Sequence, residues 1–89
     1  MFTLEEFLEY VYEGIEFEFS LNNVSLFMYY KMEEYNGKEE AIWYIYDVSD
    51  PNNSVEIFHG TEDNMLNFDF GNNIAFNNSI ESFKFECIL

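Results

Sequence analysis

The sequence predicts an α+β domain: an N-terminal helix packed on an antiparallel β-sheet of four to five strands in meander order. Three observations carry that expectation. The first residues hold a capped, amphipathic helical pattern; from residue 15 the apolar residues switch to period two; and Asn-rich turn signals separate the alternating runs. A chain of 89 residues has material for one core and not two, so a single acidic domain over 1–89 is expected.

The helix comes first. Thr3 as N-cap with Glu6 three residues on makes a capping box, and Phe2 with Phe7 suits the hydrophobic staple. Leu4, Phe7, Leu8, Val11 and Ile15 recur at helical spacing, while Glu5, Glu6, Glu9 and Glu13 fall mostly on the other side. Acids early in the helix are favoured by its dipole, and Gly14 suits the position that stops it. The spacing predicts a helix over 4–13.

Ile15, Phe17 and Phe19 then alternate with Glu16, Glu18 and Ser20 as a half-buried strand. Asn22-Asn23 can turn the chain, because Asn tolerates the left-handed region. That turn pairs Phe19 with Leu26, Phe17 with Met28 and Ile15 with Tyr30, all apolar on one face. A second turn signal, Asn36-Gly37 in EEYNGKEE, suits a two-residue type I′ hairpin. It sets Tyr35 opposite Lys38, Glu34 opposite Glu39 and Glu33 opposite Glu40, and further back Tyr30 opposite Trp43 and Met28 opposite Ile45. The other face collects Phe27, Tyr29, Tyr44, Tyr46 and Val48 with Glu16 and Glu18. Both faces of the meander are thus apolar or aromatic in the middle; one is the core and the other needs a cover or a partner.

SDPNN, 49–53, reads as a loop. SVEIFH reads as a fourth strand with Val55 and Ile57 or Phe58 inward, and Thr61 suits the cap of a short helical turn through EDNMLNF. Residues 70–89 stay open: SFKFECIL alternates as a terminal strand, and SIESFKF also fits a helical turn. The doublets at 22-23, 52-53, 72-73 and 77-78 are read as turn markers only.

Eighteen Asp and Glu against three Lys give a net charge of −15, in a composition that is 48% hydrophobic and 21% aromatic. Disordered acidic chains are poor in aromatics, so this is a folded acidic protein. The charge argues against binding a nucleic-acid backbone or an anionic membrane, both of which call for basic residues. Its natural counterpart is a basic protein surface. No apolar run approaches the length of a membrane span and no basic-then-apolar leader opens the chain, so a cytoplasmic location is expected.

At EDNMLNF and SIESFKF the chain resembles small acidic proteins of low-GC Gram-positive bacteria and their phages. These combine an acidic first helix, an antiparallel meander, a segment similar to Met65, Leu66, Asn67 and Phe68, and a tail to which Ser79, Ile80, Glu81 and Ser82 are loosely similar. TLEEFLEYVYEG fits the same pattern. The resemblance implies an α+β fold and a mobile-element origin, and it implies no activity.

Chemistry is sparse. His59 near Glu62 and Asp63 could in principle ligate a metal, but a surface histidine at a strand end is the expected reading, since no second His and no Cys nearby completes a zinc shell. Asp47, Asp50, Asn52 and Asn53 lack the spacing of an EF-hand loop and are expected to be turn residues. Glu16 with Glu18, and Glu5 with Glu9, suit solvated faces better than the cleft a glycosidase needs. Cys87, the only cysteine, is expected to be a buried, inert thiol in a terminal strand. No enzyme and no cofactor are expected.

The acids are open to two readings: a solvated surface whose charged hairpin tip also guards a sheet edge, or a set of carboxylates spaced for a basic partner. The sharper expectation is a binder. Fifteen net charges match roughly 25 Å of duplex at one charge per roughly 1.7 Å, comparable with a domain whose radius of gyration is about 12 Å. If the first helix, the Glu16/Glu18 strand and the tip with Glu33, Glu34, Glu39 and Glu40 form one band, with Tyr29, Tyr44 and Tyr46 adding contact area, the surface imitates a nucleic acid. The expected function is a phage-encoded inhibitor of the anti-CRISPR kind, occupying the nucleic-acid site of a host defence nuclease. The alternatives are an antidote to a basic toxin, and a structural protein that buries its aromatic sheet face on itself, so monomer and homodimer both remain open.

Overall fold

A computed structural model describes residues 2–88, with the backbone alone for Tyr35, Cys87 and Ile88. Helix α1 spans Leu4–Tyr12, and its capping box is formed: Glu6 N donates to Thr3 Oγ1 at 3.2 Å and Thr3 N donates to Glu6 Oε1 at 3.1 Å. It ends one residue short of the expected boundary. Gly14, at φ +75°, donates to Val11 O, and Ile15 N donates to Tyr10 O, the paired bonds of a Schellman stop. That second bond commits Ile15 to the helix end. Strand β1 therefore begins at Phe17 and runs to Leu21, and the expected Ile15–Tyr30 pair does not form.

The hairpins keep their expected register. β1 pairs with β2, Val24–Tyr35, through Phe17–Met28 and Phe19–Leu26, across Asn22 and Asn23 at φ 50° and 66°. β2 pairs with β3, Lys38–Asp47, through Met28–Ile45 and Tyr30–Trp43, out to Glu33–Glu40, Glu34–Glu39 and Tyr35–Lys38. Asn36 and Gly37 at φ 54° and 77° make the type I′ turn.

In the 49–53 loop, Asp47 and Asp50 accept from the backbone N–H of Ser49 and Asn52, each at 2.9 Å, which explains those carboxylates as turn-formers. β4, Val55–Gly60, pairs with β3 across a bulge at Ile45/Tyr46. Beyond the bulge Val55 sits opposite Asp47, on the core side by register, but is 50% exposed because it lies past the edge of the buried cluster; Phe58, opposite Ile45, is the residue that packs on the core.

The C-terminal third is both things the sequence allowed. After α2, Glu62–Leu66, capped by Thr61, come α3, Phe76–Ser79, and a 3₁₀ turn over Ile80–Ser82. Strand β5, Lys84–Ile88, then pairs with β1, giving the sheet order β4-β3-β2-β1-β5. The chain thus leaves one edge of the meander and returns on the other. The crossing segment is anchored by aromatic packing: Phe76 lies 4.6 Å from both Phe7 and Phe83, ring centre to ring centre. Phe7, Phe17, Phe19, Met28, Trp43, Ile45, Met65 and Phe76 are fully buried in one cluster. The residues that α1, α2 and α3 bury all join this cluster, so these helices lie on one face of the sheet.

Candidate functional site

Strand alternation and register decide which side chains meet on the other face. Across β2 and β3 the outward pairs are Phe27–Tyr46, Tyr29–Tyr44, Lys31–Ile42 and Glu33–Glu40, with His59 and Glu56 added from β4 and Glu18 and Ser20 from β1. The aromatic rings form a continuous run. Tyr29 stacks on Tyr44 at 5.3 Å and 12°, on Tyr46 at 6.1 Å and 16°, and on Phe27 at 5.8 Å; Tyr44 in turn stacks on His59 at 5.8 Å. Each of the four Phe and Tyr residues is half-buried by its neighbours alone.

Polar groups hold this run in place. Tyr44 Oη donates to Glu33 Oε2, and that bond, with lesser help from burial and the Glu33 charge, pushes the Tyr44 phenol up to about 12. Hydrogen bonding with Tyr29, then burial, raises the Tyr46 phenol, whose hydroxyl also reaches Glu56 Oε1 at 3.5 Å. His59 Nδ1 lies 2.9 Å from Glu56 Oε2, so its carboxylate partner is Glu56 and neither Glu62 nor Asp63. Lys31 Nζ stands 5.1 Å from the centre of the Tyr44 ring, a cation–π contact on the same surface.

The opposite side carries different chemistry. Glu5, Glu6, Glu9 and Glu13 line the exposed side of α1, and Glu62, Asp63, Asp69 and Glu81 follow along the segment that crosses beneath the sheet. Burial, then the Asp63 charge, raises the Glu62 carboxyl. At the hairpin tip the alternation sends Glu34 and Glu39 to this same side, with Met32 and Ala41, and sends Glu33 and Glu40 to the aromatic side. More than half of the eighteen acidic side chains are on the helix side, and no lysine is: Lys31 and Lys38 lie on the aromatic side by alternation, and so does Lys84, paired with Ser20.

The acidic band expected across the first helix, Glu16/Glu18 and the tip is therefore divided by the sheet. Glu18, Glu33, Glu40, Tyr29, Tyr44 and Tyr46 come together on the aromatic face; Glu34 and Glu39 join the helix side; Glu16 sits half-buried in the link before β1 and not on the strand with Glu18. Lys31, Ile42 and His59 complete the aromatic face and were not among the expected partner residues. The signal for them was the same alternation, extended one pair further along each strand. The Cys87 side chain lies outside the described residues.

Among the described residues no three His, Cys, Asp or Glu side chains gather as metal ligands, and no helix is long and apolar enough to cross a membrane. A cleft of about 240 Å³ lies between the end of α1 and the β2–β3 ribbon, lined by Val11, Tyr12, Tyr30, Met32, Trp43 and Glu62 among others. No family model matches the chain, and no curated protein or solved structure proved similar to it.

Proposed function

We propose that this protein binds a basic protein surface with its acidic helix side, and that the surface it covers is one its partner offers to nucleic acid. The observation that carries the reading is the segregation of charge. A net −15 is spread so that α1, the start of α2 and the Glu34/Glu39 side of the hairpin hold carboxylates with no lysine among them. A surface of one sign attracts an oppositely charged partner and speeds encounter, and it repels nucleic acid itself. The inhibitor form of the reading, a phage protein of the anti-CRISPR kind directed at a defence nuclease, draws its support from charge and size. An antidote to a basic toxin uses the same attraction, and the identity of the captured protein separates the two.

The test is affinity capture from a host lysate at low and moderate salt, followed by displacement with DNA or RNA. A variant with Glu5, Glu9, Glu34 and Glu39 changed to Gln accompanies the wild type. The expected result is one basic nucleic-acid-binding protein, retained by the wild type, released by nucleic acid and lost by the variant. Equal capture by both proteins, or capture that nucleic acid does not displace, would refute the reading.

A further inference from the structure

We infer that the aromatic face of the sheet is a homodimer interface, and that its occupant is a second copy of this chain. The argument begins with charge. Two copies of a protein of net charge −15 repel at long range. Whatever surface they share must therefore be the least acidic one available. On the aromatic face Lys31, Lys38 and Lys84 stand among Glu18, Glu33, Glu40 and Glu56, with Glu86 exposed at the β5 bulge beside Lys84, which leaves it far less acidic than the lysine-free side that points away. A basic partner would be drawn to the other side of the molecule. Among the described residues, this is the broad surface on which a copy of the chain finds its acids best offset by lysine.

Chemistry and size agree. Tyr and Phe are enriched in interface cores, and here Phe27, Tyr29, Tyr44 and Tyr46 form a contiguous stack with none of the described helices over it. A two-fold interface brings the same patch against itself, so Lys31 of one protomer can meet a carboxylate of the other and the reverse holds by symmetry. With strands about 4.8 Å apart and about 3.3 Å per residue, the five-stranded part and its hairpin ribbon cover roughly 600 Å² in plan. Side-chain relief raises that toward the about 800 Å² per partner of a standard interface. The inference stands apart from the binder reading, because it uses the opposite side of the sheet.

Sedimentation of the full chain from about 1 to 100 μM, at ionic strengths of about 0.05 and 0.5 M, tests it. The expected result is a monomer–dimer equilibrium that tightens as salt rises, because screening removes the repulsion between the outer acidic sides. Lys31→Glu, an exposed change that leaves the core alone, should weaken the dimer at least about tenfold by placing like charges across the interface. Tyr44→Thr, which keeps a β-forming residue, should weaken it by about thirtyfold, the scale of an interface hot spot. Glu9→Lys, on the helix side, changes the net charge by two in the direction opposite to Lys31→Glu and should leave the dimer as tight or tighter. Lys31→Gln, which removes one charge without adding a carboxylate, should weaken it less than Lys31→Glu. A monomer at all concentrations in high salt would overturn the inference. So would a dimer that Lys31→Glu leaves intact, since the contact would then lie elsewhere.

Discussion

Replacing Gly14 by Ala tests how the acidic helix is fixed to the sheet. Gly14 is the residue at which α1 stops, and its φ is +75°. A Cβ there meets two penalties. The left-handed conformation alone costs an L-residue about 1–2 kcal/mol. The added carbon would also stand 2.6 Å from Cε1 and Oη of Tyr30 and 2.9 Å from its Cζ. Tyr30 packs against Trp43 with ring centres 5.2 Å apart, so the ring has a buried neighbour to disturb when it yields. Overpacking of this kind costs about 1–3 kcal/mol, giving about 3 kcal/mol in all, or a fall in Tm on the order of 20 °C for a domain of this size. Gly37 is the internal control: its φ is +77° and nothing lies within 4 Å of where a Cβ would stand, so Gly37→Ala carries the conformational cost alone, about 1–2 kcal/mol. Urea unfolding of both variants, followed by circular dichroism, separates the two terms. Shortening the obstructing ring with Tyr30→Leu should then return most of the excess loss at position 14. Equal losses at 14 and 37, or a Gly14→Ala loss unchanged in the Tyr30→Leu background, would refute the steric argument.

Three further outcomes follow from single contacts. An ultraviolet titration should find one phenol ionising near pH 12, absent in Tyr44→Phe and shifted down in Glu33→Gln. Because that pKa is raised above the unfolded value of about 10, the stabilisation it represents is complete below pH 10 and is lost as pH rises through about 12. Thr3→Ala removes the capping box and should cost about 1 kcal/mol in chemical unfolding, with the loss of helix seen first at the N terminus by hydrogen exchange. Phe76→Ala opens a cavity between Phe7 and Phe83 and should cost about 3–5 kcal/mol, enough to unfold a marginal domain at room temperature.

Local rules were legible wherever a turn or cap names its own geometry. Thr3 and Glu6, Asn22-Asn23 and Asn36-Gly37 fixed the helix start and the registers of two hairpins, and the central pairs followed from those turns. The sequence was silent where a residue had two possible commitments. Ile15 fits a strand by alternation, but its N–H is taken by the helix stop, which wins because the Gly14 turn positions it at Tyr10 O. Val55, Ile57 and Phe58 could not all be ranked by hydrophobicity: the bulge at Ile57 lets Phe58 pack on the core opposite Ile45, while Val55, opposite Asp47 at the strand end, lies beyond the buried cluster. The return of β5 to β1 depends on aromatic contacts between segments some seventy residues apart, such as Phe7 with Phe76, and no local pattern encodes them. For the candidate site, the aromatic residues were readable from alternation. The division of the acids was not, because it requires knowing on which side the helices lie.

That division answers why EEYNGKEE sets glutamate against glutamate twice, although like charges directly opposite are unfavourable by up to about 1 kcal/mol a pair. The two pairs face opposite sides of the ribbon and meet different surroundings. Glu33 is compensated by the Tyr44 hydroxyl, and it shares its face with Lys31 and Lys38. Glu34 and Glu39 are exposed on a side without a lysine, where nothing comparable relieves them, so their repulsion stays in the free protein. A bound basic surface would relieve it. Two double variants therefore separate the roles of one motif. Glu34→Gln with Glu39→Gln should stabilise the fold slightly, weaken capture of a basic partner and leave self-association unchanged. Glu33→Gln with Glu40→Gln should lower the Tyr44 titration and alter the dimer, with capture nearly intact. If both pairs change capture and self-association alike, the sheet does not divide the surface into two functions, and the tip acts through its total charge alone.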